Sequence, residues 1–126
     1  TCYDLRFPGL WQELSFRGAE TVAIPAAWPA VRREHWRLLT QARAVEHQVF
    51  TLAVNACGAQ RGVELGGCSR VVDPSGRVLA ECGVEEEVRV VEIDPARTAE
   101  VREEFPVIAD RLADYASISD ESGAER

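Results

Sequence analysis

A run near the start, "CYDLRFP" over residues 2–8, gathers a thiol, a phenol, a carboxylate and a guanidinium within five positions. A thiol can ligate a metal, close a disulfide, pack in a core or attack a carbonyl carbon. The four cysteines, Cys2, Cys57, Cys68 and Cys82, form no C-x-x-C pair, and His35 and His47 are not spaced like zinc ligands. Neither a metal nor another cofactor is therefore expected. No basic segment followed by an apolar export core is visible, so the thiols are expected to stay free in a reducing cytoplasm. Cys2, beside Tyr3 and Asp4 at what reads as the tail of a strand over residues 1–4, is left to explain. A lone Cys-Tyr-Asp triplet is weak, and a free cysteine is usually a buried core residue.

The totals narrow the classes. A chain of 126 residues, 46% hydrophobic and 28% charged, can build one modest core. Its net charge of -7 argues against nucleic acid as a partner. No apolar run approaches the length of a membrane span, so no membrane role is expected. All 14 basic side chains are arginine, so no side chain can supply an ammonium group. Methionine is absent as well, and the chain reads as a piece of a longer protein.

The elements that would hold Cys2 follow from pattern. Pro8 suits the first turn of a helix running to about Arg17, with Leu10, Trp11, Leu14 and Phe16 as its apolar side and Gly18 as its stop. "TVAIP" and "VFTLAVNAC" read as strands covered on both faces. Between them lies the longest helix, about Val31 to Gln48, whose expected buried stripe is Val31, Leu38, Leu39, Ala42 and Val45. Trp36, Arg43 and His47 form a second face, suggesting that this helix packs against more than its own sheet. "CSRVVD" and "RVLAEC" flank a "PSG" turn as a hairpin. "EVRVVEID" alternates like a half-exposed strand, with the Glu85–Glu87 run as its solvated edge. Asp94 should cap a helix from Pro95 to about Glu104. The order predicts an α/β fold with helices on one face of a sheet, leaving the other face without a cover.

These segments carry a resemblance. "CYDLRFPGLWQEL", "GAETVAIPAAWP", "REHWRLLTQARAVEHQVF", "GGCSRVVDPSGRVLAE" and "REEFPVIADR" occur in the order seen in the carbon–nitrogen hydrolases, the nitrilase superfamily. The chain most resembles the ω-amidase branch. The resemblance implies the C-terminal half of an αββα sandwich over residues 1–115; the small, polar and charged residues of 116–126 read as a disordered acidic tail. It also implies a homodimer, a cysteine nucleophile, a glutamate base and a lysine that helps hold the oxyanion. Cys2 takes the nucleophile's place, and the backbone N–H of Tyr3 that of an oxyanion donor. The glutamate and lysine would lie upstream of Cys2, so this piece alone is expected to be inactive. An ordinary thiol ionises near about 8.5 and is mostly protonated at neutral pH.

Around Cys2 the other assignments stay open. Arg6 could meet a substrate carboxylate, or pair with Asp4 or Glu46. Trp28 could line the acyl pocket, or cover the sheet as an ordinary loop aromatic. Arg43 and Glu46, three apart on the long helix, read as structural support. His47 and His35 read as interface or solvated residues, and Cys57, Cys68 and Cys82 as core or loop thiols. The expected activity is hydrolysis of a small carboxylated amide through a Cys2 thioester. The alternatives are a non-catalytic assembly module, and a carbamoylase or nitrilase branch.

Overall fold

A computed structural model describes residues 2–112, so the tail expected at 116–126 lies outside the described residues. A 3-10 turn, Cys2–Arg6, leads into helix α1 (Pro8–Phe16), strand β1 (Thr21–Ala26), a second 3-10 turn (Ala30–Arg32) and helix α2 (Arg33–His47). Strand β2 (Phe50–Asn55), the small β3 (Ala59–Gln60) and β4 (Val63–Glu64), the hairpin β5 (Arg70–Val72) and β6 (Val78–Glu81), and helix α3 (Ala96–Glu104) follow.

The main sheet has the order β1-β2-β5-β6. β1 and β2 are parallel, from Thr21 opposite Phe50 to Ala26 opposite Asn55. Parallel neighbours need a crossover, and α2 supplies it. The β5–β6 hairpin is antiparallel, as its turn signal predicts. Asp73 Oδ1 accepts from the Ser75 N–H at 2.9 Å, the Ser75 hydroxyl at 2.7 Å and the Arg77 N–H at 3.0 Å. Gly76 takes the left-handed φ of +86° that this turn requires. Asp94 caps α3 as expected, its Oδ1 accepting the Ala96 N–H at 3.0 Å.

Four expectations change. Residues 2–6 are a 3-10 turn and not a strand end. Their carbonyls serve side-chain donors instead of a ladder: Asp4 accepts from Trp11 Nε1 at 3.2 Å, and Leu5 from Arg43 Nε at 3.0 Å. On α1 only Trp11 of the expected apolar side is buried, while Leu10 and Phe16 are exposed. Residues 87–94 form no strand, and Val88 and Val90 stand in solvent. Glu87, the end of the acidic run, accepts the Gly83 N–H at 3.0 Å and pairs with Arg89 at 2.6 Å, so the run is no strand edge.

The fourth change concerns α2. Its sheet-facing stripe is Trp36, Thr40, Arg43, Ala44 and His47, whereas Val31 is 86% and Leu38 67% exposed. Polar residues can face a core where their groups find internal partners. The Thr40 hydroxyl donates to Trp36 O at 2.8 Å, Thr51 Oγ1 to Thr40 O at 3.2 Å, and Trp36 Nε1 to Cys68 O at 2.8 Å. Val31, Leu38 and Val45 of the expected stripe therefore turn outward, while Leu39 packs half-buried against the core as expected and Ala42 is half-buried.

One face of the sheet is correspondingly bare. Ala23, Pro25 and Val54 are exposed, and Leu52, Val71 and Ala80 only half-buried. The uninterrupted apolar strands are thus covered on one face, with the other open as expected for a single layer of a sandwich.

Candidate active site

Cys2 opens the 3-10 turn and is half-buried. It packs against a buried cluster of Leu5, Trp11, Ile24, Trp28, Trp36 and Ala53, together with Cys68. Its turn is held from below by α2. Arg43, only 5% exposed, donates Nε to Leu5 O and Nη1 to Glu46 Oε2 at 3.1 Å. Arginine suits this position because one planar group offers divergent donors, and a lysine would offer a single point charge. Glu46 also stands 3.2 Å from His47 Nε2. Burial pushes the His47 imidazole below its ordinary value, against the opposing pull of Glu46.

Arg6 and Trp28 come together. The Arg6 guanidinium lies 4.8 Å from the centre of the Trp28 ring, a cation–π contact. Its Nη2 lies 3.3 Å from His35 Nδ1, which accepts and so leaves the imidazole proton on Nε2. Glu46, one of the carboxylates considered for Arg6, is engaged by Arg43 and His47 instead. Trp28 is packed into the core cluster. It is 4% exposed, its Nε1 donates to Arg32 O at 2.7 Å, and its ring lies 5.8 Å from that of Trp36. Tyr3 points outward, 67% exposed, its ring edge-on to Phe7 at 5.3 Å. The arrangement is a half-buried thiol packed on the cluster that contains Trp28, with a guanidinium held over the Trp28 ring.

A second charged cluster braces α2 against the hairpin. Glu81 accepts from Arg37 in a short charged contact and forms an ion pair with Arg70 at 3.1 Å. Arg37 holds the Glu81 carboxyl below the usual carboxylate range, and Glu81 keeps Arg37 firmly protonated. A groove of about 270 Å³ lies on the bare sheet face among Leu52, Val54, Val71, Ala80, Cys82 and Val88. Its lining includes Ala53 of the core cluster but neither Cys2, Arg6 nor Trp28. Among the described residues, no group of three or more His, Cys, Asp and Glu side chains could hold a metal ion. Nor is any described helix long and apolar enough to cross a membrane.

Sequence reasoning missed Asn55, Trp36 and His35 as parts of this region. An asparagine closing the apolar run "VFTLAV" was the one available signal, since a buried amide demands partners.

A sheet covered on one face, with a cysteine-bearing turn braced by its helix, is one layer of an α/β sandwich. The chain belongs to the carbon–nitrogen hydrolase family, whose profile matches residues 1–103. It is 45% identical over 114 residues to a 2-oxoglutaramate amidase of Paenarthrobacter nicotinovorans, covering 90% of this chain and 39% of that protein. It is 46% identical over 109 residues to a 2-oxoglutaramate amidase of Bacillus subtilis (strain 168), covering 86% and 42%. The chain thus spans about two fifths of the length of these relatives. A glutamate-to-glutamine mutant of the amidase from Nesterenkonia sp. AN1 superposes with a TM-score of 0.70 at 34% identity, over 83% of this chain and 41% of that one. That structure shows the Michael addition of acrylamide at the active-site cysteine.

Proposed function

We propose that this chain is the nucleophile-bearing part of an amidase that hydrolyses small carboxylated amides, with Cys2 as the nucleophile. The observation that carries the reading is the grouping of Cys2, Trp28 and Arg6 on a family fold whose relatives are 2-oxoglutaramate amidases. The Cys2 thiolate attacks the amide carbonyl carbon, and the thiol proton passes to a carboxylate base. The tetrahedral oxyanion is met by the Tyr3 N–H and a cation. The C–N bond then breaks, the nitrogen leaves as ammonia with the transferred proton, and a thioester remains. Water cleaves that thioester, releasing the acid and restoring the thiol. Arg6, steadied by Trp28 and His35, offers paired N–H groups to the far carboxylate of the substrate.

The base and the cation are supplied by the rest of a family-length domain, since this chain contains no lysine. These residues alone therefore do not turn over an amide. Four free thiols fit a reducing cytoplasm. The outward stripe of α2, Val31, Leu38 and Val45, is the face for a second copy in a homodimer.

The test joins the chain to the remainder of a family-length domain and measures ammonia released from α-keto acid monoamides. Turnover is expected there, and loss of at least about 10³-fold in Cys2→Ala. Acrylamide should add to Cys2 by peptide mass spectrometry. Turnover by the 126-residue chain alone, or undiminished turnover in Cys2→Ala, overturns the reading. In the same protein, Leu38→Glu is expected to convert dimer to monomer by sedimentation.

A further inference from the structure

Asn55 ends β2 at 6% exposure, opposite Ala26 at the end of β1. Beyond this point the backbone ladder makes one more bond, Ala56 N–H to Ala26 O at 3.0 Å. The Trp28 peptide groups then meet a side chain. Asn55 Oδ1 accepts the Trp28 N–H at 2.6 Å, and Asn55 Nδ2 donates to Trp28 O at 3.3 Å. The same Nδ2 donates to Gly67 O at 2.9 Å. A carboxamide holding both polar groups of one residue imitates the peptide of a neighbouring strand.

The rest of the surroundings is built to this grip. The Gly66 N–H donates to Trp28 O at 2.7 Å. A Cβ at Gly66 would stand 3.2 Å from Trp28 O and 3.4 Å from Asn55 Nδ2, so glycine is what lets the loop approach. The Ser69 hydroxyl accepts the Asn55 N–H at 2.9 Å, steadying Asn55 itself. The grip lies at the carboxyl ends of the parallel pair β1 and β2, where open α/β sheets present their ligands.

We propose that Asn55 is a positioning residue, whose carboxamide fixes the Trp28 backbone and thereby its ring in the cluster on which Cys2 packs. The inference rests on the amidase reading, in which Trp28 lines the acyl pocket. Asn55 touches no substrate. It acts by holding Trp28, so its loss should weaken substrate binding more than it slows the chemical step.

The test uses the family-length enzyme and two variants. Asn55→Asp keeps size and the acceptor for Trp28 N–H but turns a carboxylate toward two carbonyl oxygens. Asn55→Ser keeps one hydroxyl and serves if the aspartate variant does not fold. Each is expected to raise KM for an α-keto acid monoamide about 10-fold or more, with kcat within about 3-fold. Thr98→Ala, which removes a buried hydroxyl bonded to Glu20 O on the far side of the fold, is the comparison for a merely structural loss. Hydrogen exchange at the Trp28 amide reads the grip without turnover and should speed about 10-fold in Asn55→Ser only. A KM within 2-fold of the parent in folded variants, or a rise no larger than in Thr98→Ala, overturns the proposal. If the parent with Cys2 intact releases no ammonia, the amidase reading fails and the pocket role of Asn55 falls with it. The exchange measurement then still separates that failure from a failure of the grip.

Discussion

Replacing Arg43 by methionine isolates the polar brace under Cys2, because methionine keeps the buried stem and removes the guanidinium. Arg43 is 5% exposed and Leu5, whose carbonyl it serves, is fully buried. Stranding a buried carbonyl costs about 1–3 kcal/mol. The ion pair to Glu46 adds little, about 0–1 kcal/mol, because the Glu46 side chain is 49% exposed and returns to water. Relief of a buried charge offsets part of this, leaving a net loss of about 1–3 kcal/mol. Arg43→Ala should lose roughly 2 kcal/mol more through its missing methylenes. Urea unfolding at one fixed protein concentration measures both. A second readout is local: with its turn untied, Cys2 should react with acrylamide several-fold faster, while buried Cys68 should not. A midpoint within about 0.5 kcal/mol of the parent, together with an unchanged Cys2 rate, would show that the turn does not depend on Arg43.

Two further outcomes follow from the charged groups. Glu81→Gln should destabilise by about 2–3 kcal/mol in urea, less than a fully buried pair, because the Arg37 and Glu81 side chains are 42% and 22% exposed. The Glu81 carboxyl is depressed, so its contribution is present above the ordinary glutamate value of about 4.3 and is lost as pH falls through the lower folded value. His47 behaves in the opposite sense to a stabilised cation. Its folded value is lowered by burial, so below about pH 6.5 the unfolded chain binds the extra proton and stability falls, by at most ~1.4 kcal/mol per pH unit. His47→Asn should flatten the loss of melting temperature between pH 7 and 5, and an unchanged slope would refute the assignment.

The family and the order of elements were legible in local chemistry. Pro8 at a helix start, "PSG" between two apolar runs and Asp94 before Pro95 act on neighbours within a few residues, and each formed as read. Cys2, Arg6 and Trp28 could be named because their motifs are contiguous. The bare sheet face was legible too, since two all-apolar strands had helices for one side only.

Which way α2 faces was decided by tertiary structure. Hydrophobic counting places Val31, Leu38 and Val45 inward, yet the sheet takes Trp36, Thr40, Arg43 and His47. The polar atoms of Trp36, Thr40 and Arg43 are satisfied by Cys68, Leu5 and the helix itself, tens of residues distant in part, and periodicity cannot count such bonds. The alternation in 87–94 likewise made no strand, and part of that segment lines the groove on the open sheet face instead. The amide of Asn55 is the same lesson at the site. Its identity is written in the chain, but its grip on Trp28, 27 residues away, exists only once β1 and β2 lie side by side.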